Sequence, residues 1–95
     1  MPKGYWIGNG DVTDIETYKK YIEANAEPFG KYGARFLVRG GEGEVAEGAF
    51  KSRTVVIEFE SYEQALACYN SPEYQAAAKL RQAYADSEVL IVEGQ

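Results

Sequence analysis

The chain has 95 residues, 45% of them hydrophobic and 26% charged, which is the size and composition of one small globular domain. Fifteen acidic against ten basic side chains leave a net charge of −5, the wrong sign for holding a phosphate backbone or an anionic lipid surface, so neither nucleic acid nor membrane is an expected partner. With no histidine and only one cysteine, Cys68, the sequence excludes Cys/His zinc sites, Ser-His-Asp and Cys-His catalysis, and an internal disulfide.

No run of signal-peptide character opens the sequence, and no stretch approaches the roughly 18 to 20 apolar residues that cross a bilayer. Together with a lone thiol suited to a reducing compartment, this predicts a cytoplasmic protein.

Gly4 to Val12 reads as a strand carrying Tyr5, Trp6 and Ile7, interrupted by Gly8 and Gly10, which suggests a bulge or a closely approaching group. Thr13 and Glu16 form a capping box, and Ile15, Tyr18, Ile22, Ala26 and Phe29 recur at helical spacing, predicting a helix to about Tyr32. Pro28 should kink or shorten its last turn, and Gly33 supplies a left-handed terminating residue. Ala34 to Arg39 is a second strand, whose simple alternation puts Phe36 and Val38 on one face and Arg35, Leu37 and Arg39 on the other. Gly40, Gly41, Gly43 and Gly48 bracket an acidic hairpin connection, with a short strand piece at Glu44 to Ala46; this is a loop and not a phosphate cradle.

Arg53 to Phe59 is apolar on both faces, as an interior strand would be. Ser61 and Gln64 make a second capping box, opening a helix that ends near Asn70. Ser71 then caps a further helix with Pro72 at its first position and an alanine-rich run to Tyr84. Ser87 to Glu93 closes the chain as a strand.

This order predicts one α+β domain over residues 1–95: a ferredoxin-like βαββαβ antiparallel sheet with its helices on one face. The other face is left bare and carries apolar residues, a patch that soluble monomers rarely tolerate. A second copy packed sheet to sheet across a two-fold axis covers it most simply, giving a homodimer, a dimeric α+β barrel.

Gly4-Tyr5-Trp6, Tyr21, Asn25, Tyr32, Gly33, Arg39-Gly40-Gly41, Glu47-Gly48, Val56 to Phe59 and Tyr69 to Gln75 together resemble a widespread family of bacterial proteins of about this length, a domain of unknown function within the dimeric α+β-barrel superfamily. The similarity spans essentially the whole chain. More distant relatives include cofactor-independent monooxygenases of polycyclic phenols, muconolactone isomerase-like proteins, heme-using chlorite dismutases and small stress-response proteins, so the resemblance implies the fold and not a reaction. The heme-ligating histidine of the chlorite dismutase type has no counterpart here, and no cofactor is expected.

Five sets of residues are candidates for a site. Arg35 and Arg39 can recognise a small carboxylate or phosphate, or else pair with Glu58 or reach solvent. Glu58, flanked by Ile57 and Phe59, can act as a general acid or base with a raised pKa, or sit in a salt bridge to Arg39. Tyr21 and Asn25 share a helical stripe and can donate to an enolate-like oxygen, with Tyr21 in a catalytic role, or fill core and cap. Trp6, Phe36, Tyr62, Tyr69 and Tyr74 can converge on an aromatic-lined cleft, or form core and dimer interface. Ser71, beside Tyr69 and Tyr74, can hold an anion at a helix start or serve as a cap, and Cys68 reads as a buried, inert thiol. The expectation is a homodimer binding a small anionic or aromatic metabolite, with cofactor-independent oxygenase- or isomerase-like chemistry, against a non-catalytic ligand-binding or structural dimerisation module. Whether Glu58 and Arg39 face a cavity or each other separates the two.

Overall fold

Four strands and three helices alternate along the chain: β1 (Gly4–Val12), α1 (Ile15–Lys31), β2 (Arg35–Arg39), β3 (Arg53–Phe59), α2 (Tyr62–Asn70), α3 (Pro72–Tyr84) and β4 (Ala85–Glu93). The computed structural model describes residues 2–95, apart from the side chains of Tyr84 and Ala85. Met1 lies outside the described residues. The strands form one antiparallel sheet in the order β2-β3-β1-β4.

Local signals set most boundaries. Ser61 Oγ accepts from the Gln64 amide at 3.1 Å and Ser71 Oγ from the Tyr74 amide at 3.2 Å, so both serines cap the helices they precede. At the start of α1 the cap is Asp14 and not Thr13: its carboxylate accepts from the amides of Glu16 and Thr17 and from the Thr17 hydroxyl at 2.8 Å. Asp14 takes over because a carboxylate one residue nearer the helix bonds these donors with a full charge.

Pro28 does not stop α1, which continues to Lys31 because a proline this near the end removes a single backbone bond. The Pro28 carbonyl accepts from Tyr32 N at 3.0 Å, and Gly33 turns the chain with φ +71. The expected strand piece at Glu44 to Ala46 is absent: no partner strand lies beside that exposed, glycine-flanked acidic segment.

Alternation sorts the sheet into two faces. Trp6, Ile57 and Phe59 are buried against the helices, with Phe36, Val55, Val89 and Ile91 packed alongside. The Trp6 ring is the hub, 4.8 to 5.7 Å from the rings of Phe29, Phe59, Tyr69 and Tyr74, and its Nε1–H donates to the Ala65 carbonyl at 2.9 Å. The opposite face presents Tyr5, Ile7, Val56, Glu58, Leu90 and Val92 in register across three strands. No helix packs there, leaving Ile7 38% and Leu90 58% exposed.

The bulge is in β2, not in β1. Phe36 pairs with Ile57 and Val38 with Val56, so Leu37 is an extra residue that resets the alternation. Arg35 and Val38 therefore share the open face, while Phe36 and Arg39 share the helix face. The two arginines do not sit side by side as simple alternation predicts. β1 keeps its register through both glycines. At Gly10 a Cβ would lie 2.6 Å from that of Ser87, the close approach anticipated from sequence, whereas at Gly8 it would meet nothing nearer than 3.9 Å.

Cys68 is fully buried, its thiol directed at the Pro28 carbonyl, and burial pushes its pKa up to about 12. A disulfide reagent should label native protein no faster than the chain opens, and full labelling within seconds in the absence of denaturant would show that the thiol is not enclosed.

Candidate functional site

Beneath α1 the helix face of the sheet is not filled. Tyr18, Tyr21, Ile22, Asn25 and Phe29 form one stripe of α1, at spacings of three and four, above a floor where β1 contributes Gly8 and Gly10. The absent side chains leave a cleft of about 100 Å³. Phe36, Val55, Ile57 and Val89 supply apolar wall, while Arg39, Arg53 and Arg81 bring three of the four arginines of the chain to its lining.

Inside it, Tyr21 and Tyr74 share a hydrogen bond of 2.9 Å between their hydroxyls. Burial pushes the Tyr74 phenol well above the ordinary tyrosine range, with Tyr21 adding to the rise and Arg81 opposing it. Tyr74 is therefore a neutral hydroxyl near neutral pH, and either phenol can be the donor in the bond to Tyr21. Asn25 is only 5% exposed, yet its side-chain amide makes no hydrogen bond to any of the described residues. Its amide is not among the enclosed polar atoms and is reached from the cleft, where a donor and an acceptor stand free for whatever enters.

The arginines are held by rings and hydroxyls. The Arg39 guanidinium stacks 4.2 Å over Phe36 and that of Arg53 lies 5.2 Å from the Tyr18 ring. Arg53 passes so close to Gly40 that a side chain there would collide with the guanidinium. Arg81 donates to Ser87 Oγ. The Nε atoms of Arg53 and Arg81 are enclosed without an acceptor, and among the described residues no carboxylate lies within ion-pair distance of any of the three. Glu88 borders the cleft, but its carboxylate accepts from Lys51 Nζ at 2.6 Å on the open face.

The structure thus brings together Trp6, Tyr21, Asn25, Phe36, Arg39 and Tyr74 and leaves the other candidates, Tyr62 included, outside the cleft lining. Tyr69 stands behind the cleft, its ring 5.7 Å from Trp6. Ser71 is occupied as a cap, also donating to the Cys68 carbonyl at 2.7 Å. Arg35 and Glu58 are on the open face, bonded to each other, with Tyr5 donating to Glu58 at 2.9 Å. Glu58 pairs with Arg35, not with Arg39, because the bulge turns Arg39 away. The Arg35 guanidinium, and then the Tyr5 hydroxyl, hold the Glu58 carboxyl below the usual range, the reverse of the raised pKa a proton-transfer group needs.

A depressed carboxyl stabilises the fold above its unfolded pKa of about 4.3 and loses that contribution as pH falls through the lower folded value. Denaturant titrations of Glu58→Gln should show a deficit at neutral pH that closes below about pH 4. A deficit unchanged by acid would mean that the pair does not contribute through its charge.

Arg53 and Arg81 were missed from sequence, although signals exist: Arg53 shares its strand face with Val55 and Ile57, and Arg81 follows Tyr74, Ala77 and Ala78 on the buried stripe of α3. The described residues contain no group of three or more His, Cys, Asp or Glu that could hold a metal, and no helix long and apolar enough to cross a membrane.

Four antiparallel strands in this order, with three helices on one face, define a ferredoxin-like α+β protein. The chain belongs to the DUF1330 family, a domain of unknown function whose model matches residues 3–95. No curated protein matches it. Among solved structures it is similar to RPA0582, a protein of unknown function from Rhodopseudomonas palustris, at 16% identity over 99% of this chain and 83% of that one, with a TM-score of 0.78. It is also similar to SnoaB, a cofactor-independent oxygenase from Streptomyces nogalater, at 11% identity over 100% and 95%, with a TM-score of 0.66. A dimeric ferredoxin-like protein of unknown function from Thermobifida fusca shares 14% identity over 97% and 91%, with a TM-score of 0.63. These identities support the fold.

Proposed function

We propose that the protein is a homodimer whose cleft in each subunit binds a small anionic, aromatic metabolite. The observation that carries this reading is an unbonded Asn25 amide facing the same aromatic-walled cleft as three arginines without carboxylate partners among the described residues. An apolar wall takes a planar ring, the guanidiniums take its charge, and the amide and phenols read an uncharged oxygen. Self-association would use the open face through Ile7, Val56, Leu90 and Val92, and the similar Thermobifida fusca protein is dimeric. A cytoplasmic setting fits the free thiol.

Benzoate and salicylate should raise the melting temperature and shift the cleft resonances in an NMR titration, with Asn25→Leu abolishing the shifts. Absence of any response to aromatic carboxylates would overturn the binding reading. Sedimentation velocity should give a dimer at micromolar concentration and a monomer for Ile7→Lys; a wild-type monomer would overturn the assembly.

A second reading, catalysis without a cofactor, is favoured by the convergence of Tyr21, Tyr74 and Asn25 on one cleft, donors suited to an enolate or phenolate oxygen. SnoaB is described as a cofactor-independent oxygenase, which is consistent with it. The residues proposed for this role are Tyr21, Tyr74 and Asn25, not Glu58. Since the one carboxylate bordering the described cleft, that of Glu88, is turned to Lys51 on the open face, the substrate would enter already ionised. Oxygen uptake with an ionised polyphenol as probe should fall by about 10²-fold in Tyr21→Phe, the loss typical of one oxyanion donor, and absence of uptake in the wild type would remove this reading.

A further inference from the structure

We propose that the ligand of this cleft carries two negative charges, as a dicarboxylate or a phosphate monoester on an unsaturated body; this rests on the small-molecule reading above. The protein is acidic overall, yet three of its four arginines line one cleft, and the six ion pairs formed by the described residues include none of them. Elsewhere five of the seven cations, Arg35, Lys3, Lys19, Lys31 and Lys51, have a carboxylate within 4 Å, and the two that do not, Lys20 and Lys79, are exposed to water. Compensation is thus the rule in this molecule, and the cleft departs from it.

Arg53 and Arg81 are half-buried, with Nε atoms sealed from water. Charges taken partly out of water and left unpaired are costly, and aromatic faces offset only part of that cost. A monoanion would still leave two guanidiniums uncompensated around a cavity of about 100 Å³. A dianion leaves one, and that one is Arg39, the most exposed of the three, stacked on Phe36 where solvent can screen it. The fork geometry of guanidinium suits both carboxylate and phosphate, so the two sources share one chemistry.

The test compares benzoate, phthalate and phenyl phosphate by isothermal titration calorimetry on the full chain. Phthalate or phenyl phosphate should bind about 30-fold or more tighter than benzoate at low salt, with the gap narrowing near 1 M salt, where screening acts within about 3 Å. Whichever dianion is tighter names the source. In Arg81→Gln, and independently in Arg53→Gln, the ratio of dianion to benzoate affinity should fall at least about tenfold, whatever the change in benzoate binding itself. The two variants guard against one of them failing to fold. Equal affinity for benzoate and both dianions would overturn the proposal and leave the binding reading intact, whereas no binding of any probe would overturn both. An advantage for dianions that survives both arginine substitutions would also overturn it, by placing the charge recognition elsewhere.

Discussion

Replacing Trp6 by alanine is expected to lower the unfolding free energy by about 3–5 kcal/mol, a large part of the stability of a domain this size. Trp6 is 3% exposed and touches rings from α1, α2, α3 and β3, so its loss opens a cavity that no single neighbour can fill. Trp6→Phe divides this effect, keeping most of the ring burial while losing the Nε1–H bond to Ala65 and some volume, for a cost of about 1–2 kcal/mol. Because Trp6 is the sole tryptophan, both variants should be followed by far-ultraviolet circular dichroism in denaturant, not by fluorescence. A loss under 1 kcal/mol for the alanine variant would mean that the ring is not the hub of the core.

Gly8→Val should separate binding from stability. The Cβ at Gly8 has 3.9 Å of clearance and the backbone there is not left-handed, so the strand should accept valine and gain about 0.5–1 kcal/mol from reduced chain entropy and better strand propensity. Its methyl groups would enter the cleft and weaken binding of aromatic anions by at least about tenfold, equivalent to about 1.4 kcal/mol. Gly10→Ala is the contrasting control: its methyl group meets Ser87 at 2.6 Å and should destabilise the strand pair. Unchanged affinity in a well-folded Gly8→Val protein would place the ligand outside the cleft.

Elements were legible where one local rule decided them. Ser61 and Ser71 announce their helices by side-chain bonds to amides three residues on, Gly33 by its positive φ, and β3 by apolar residues on both faces. The strand order followed from the connectivity rules once the elements were in place. The site was legible only in part, because it depends on which face each strand residue occupies. Tyr21 and Asn25 could be placed together because α1 is regular. Arg35 and Arg39 could not be placed, since nothing in the run Arg35-Phe36-Leu37-Val38-Arg39 marks Leu37 as supernumerary; the bulge is set by pairing with β3. That one residue also misdirected the reading of Glu58, whose partner on the open face is Arg35. Arg53 and Arg81 stand out only when strand and helix are laid over one another, and the Asn25 amide becomes informative only once its neighbours are known to offer it no bond.

The extra residue in β2 gives the short edge strand a kind of reading frame. On its amino-terminal side, even-numbered residues face the cleft; beyond it, odd-numbered ones do, so a single chain segment delivers Phe36 and Arg39 to one surface and Arg35 and Val38 to the other. Were Leu37 drawn into the ladder opposite Val56 as an ordinary strand residue, the frame would shift, turning Val38 in beneath α1 and Arg39 out to the open sheet. One slipped pairing would then strip a cation from the cleft and place a charge within the surface proposed for self-association. Chain added or lost in the acidic loop beyond Gly40, by contrast, moves nothing across the sheet.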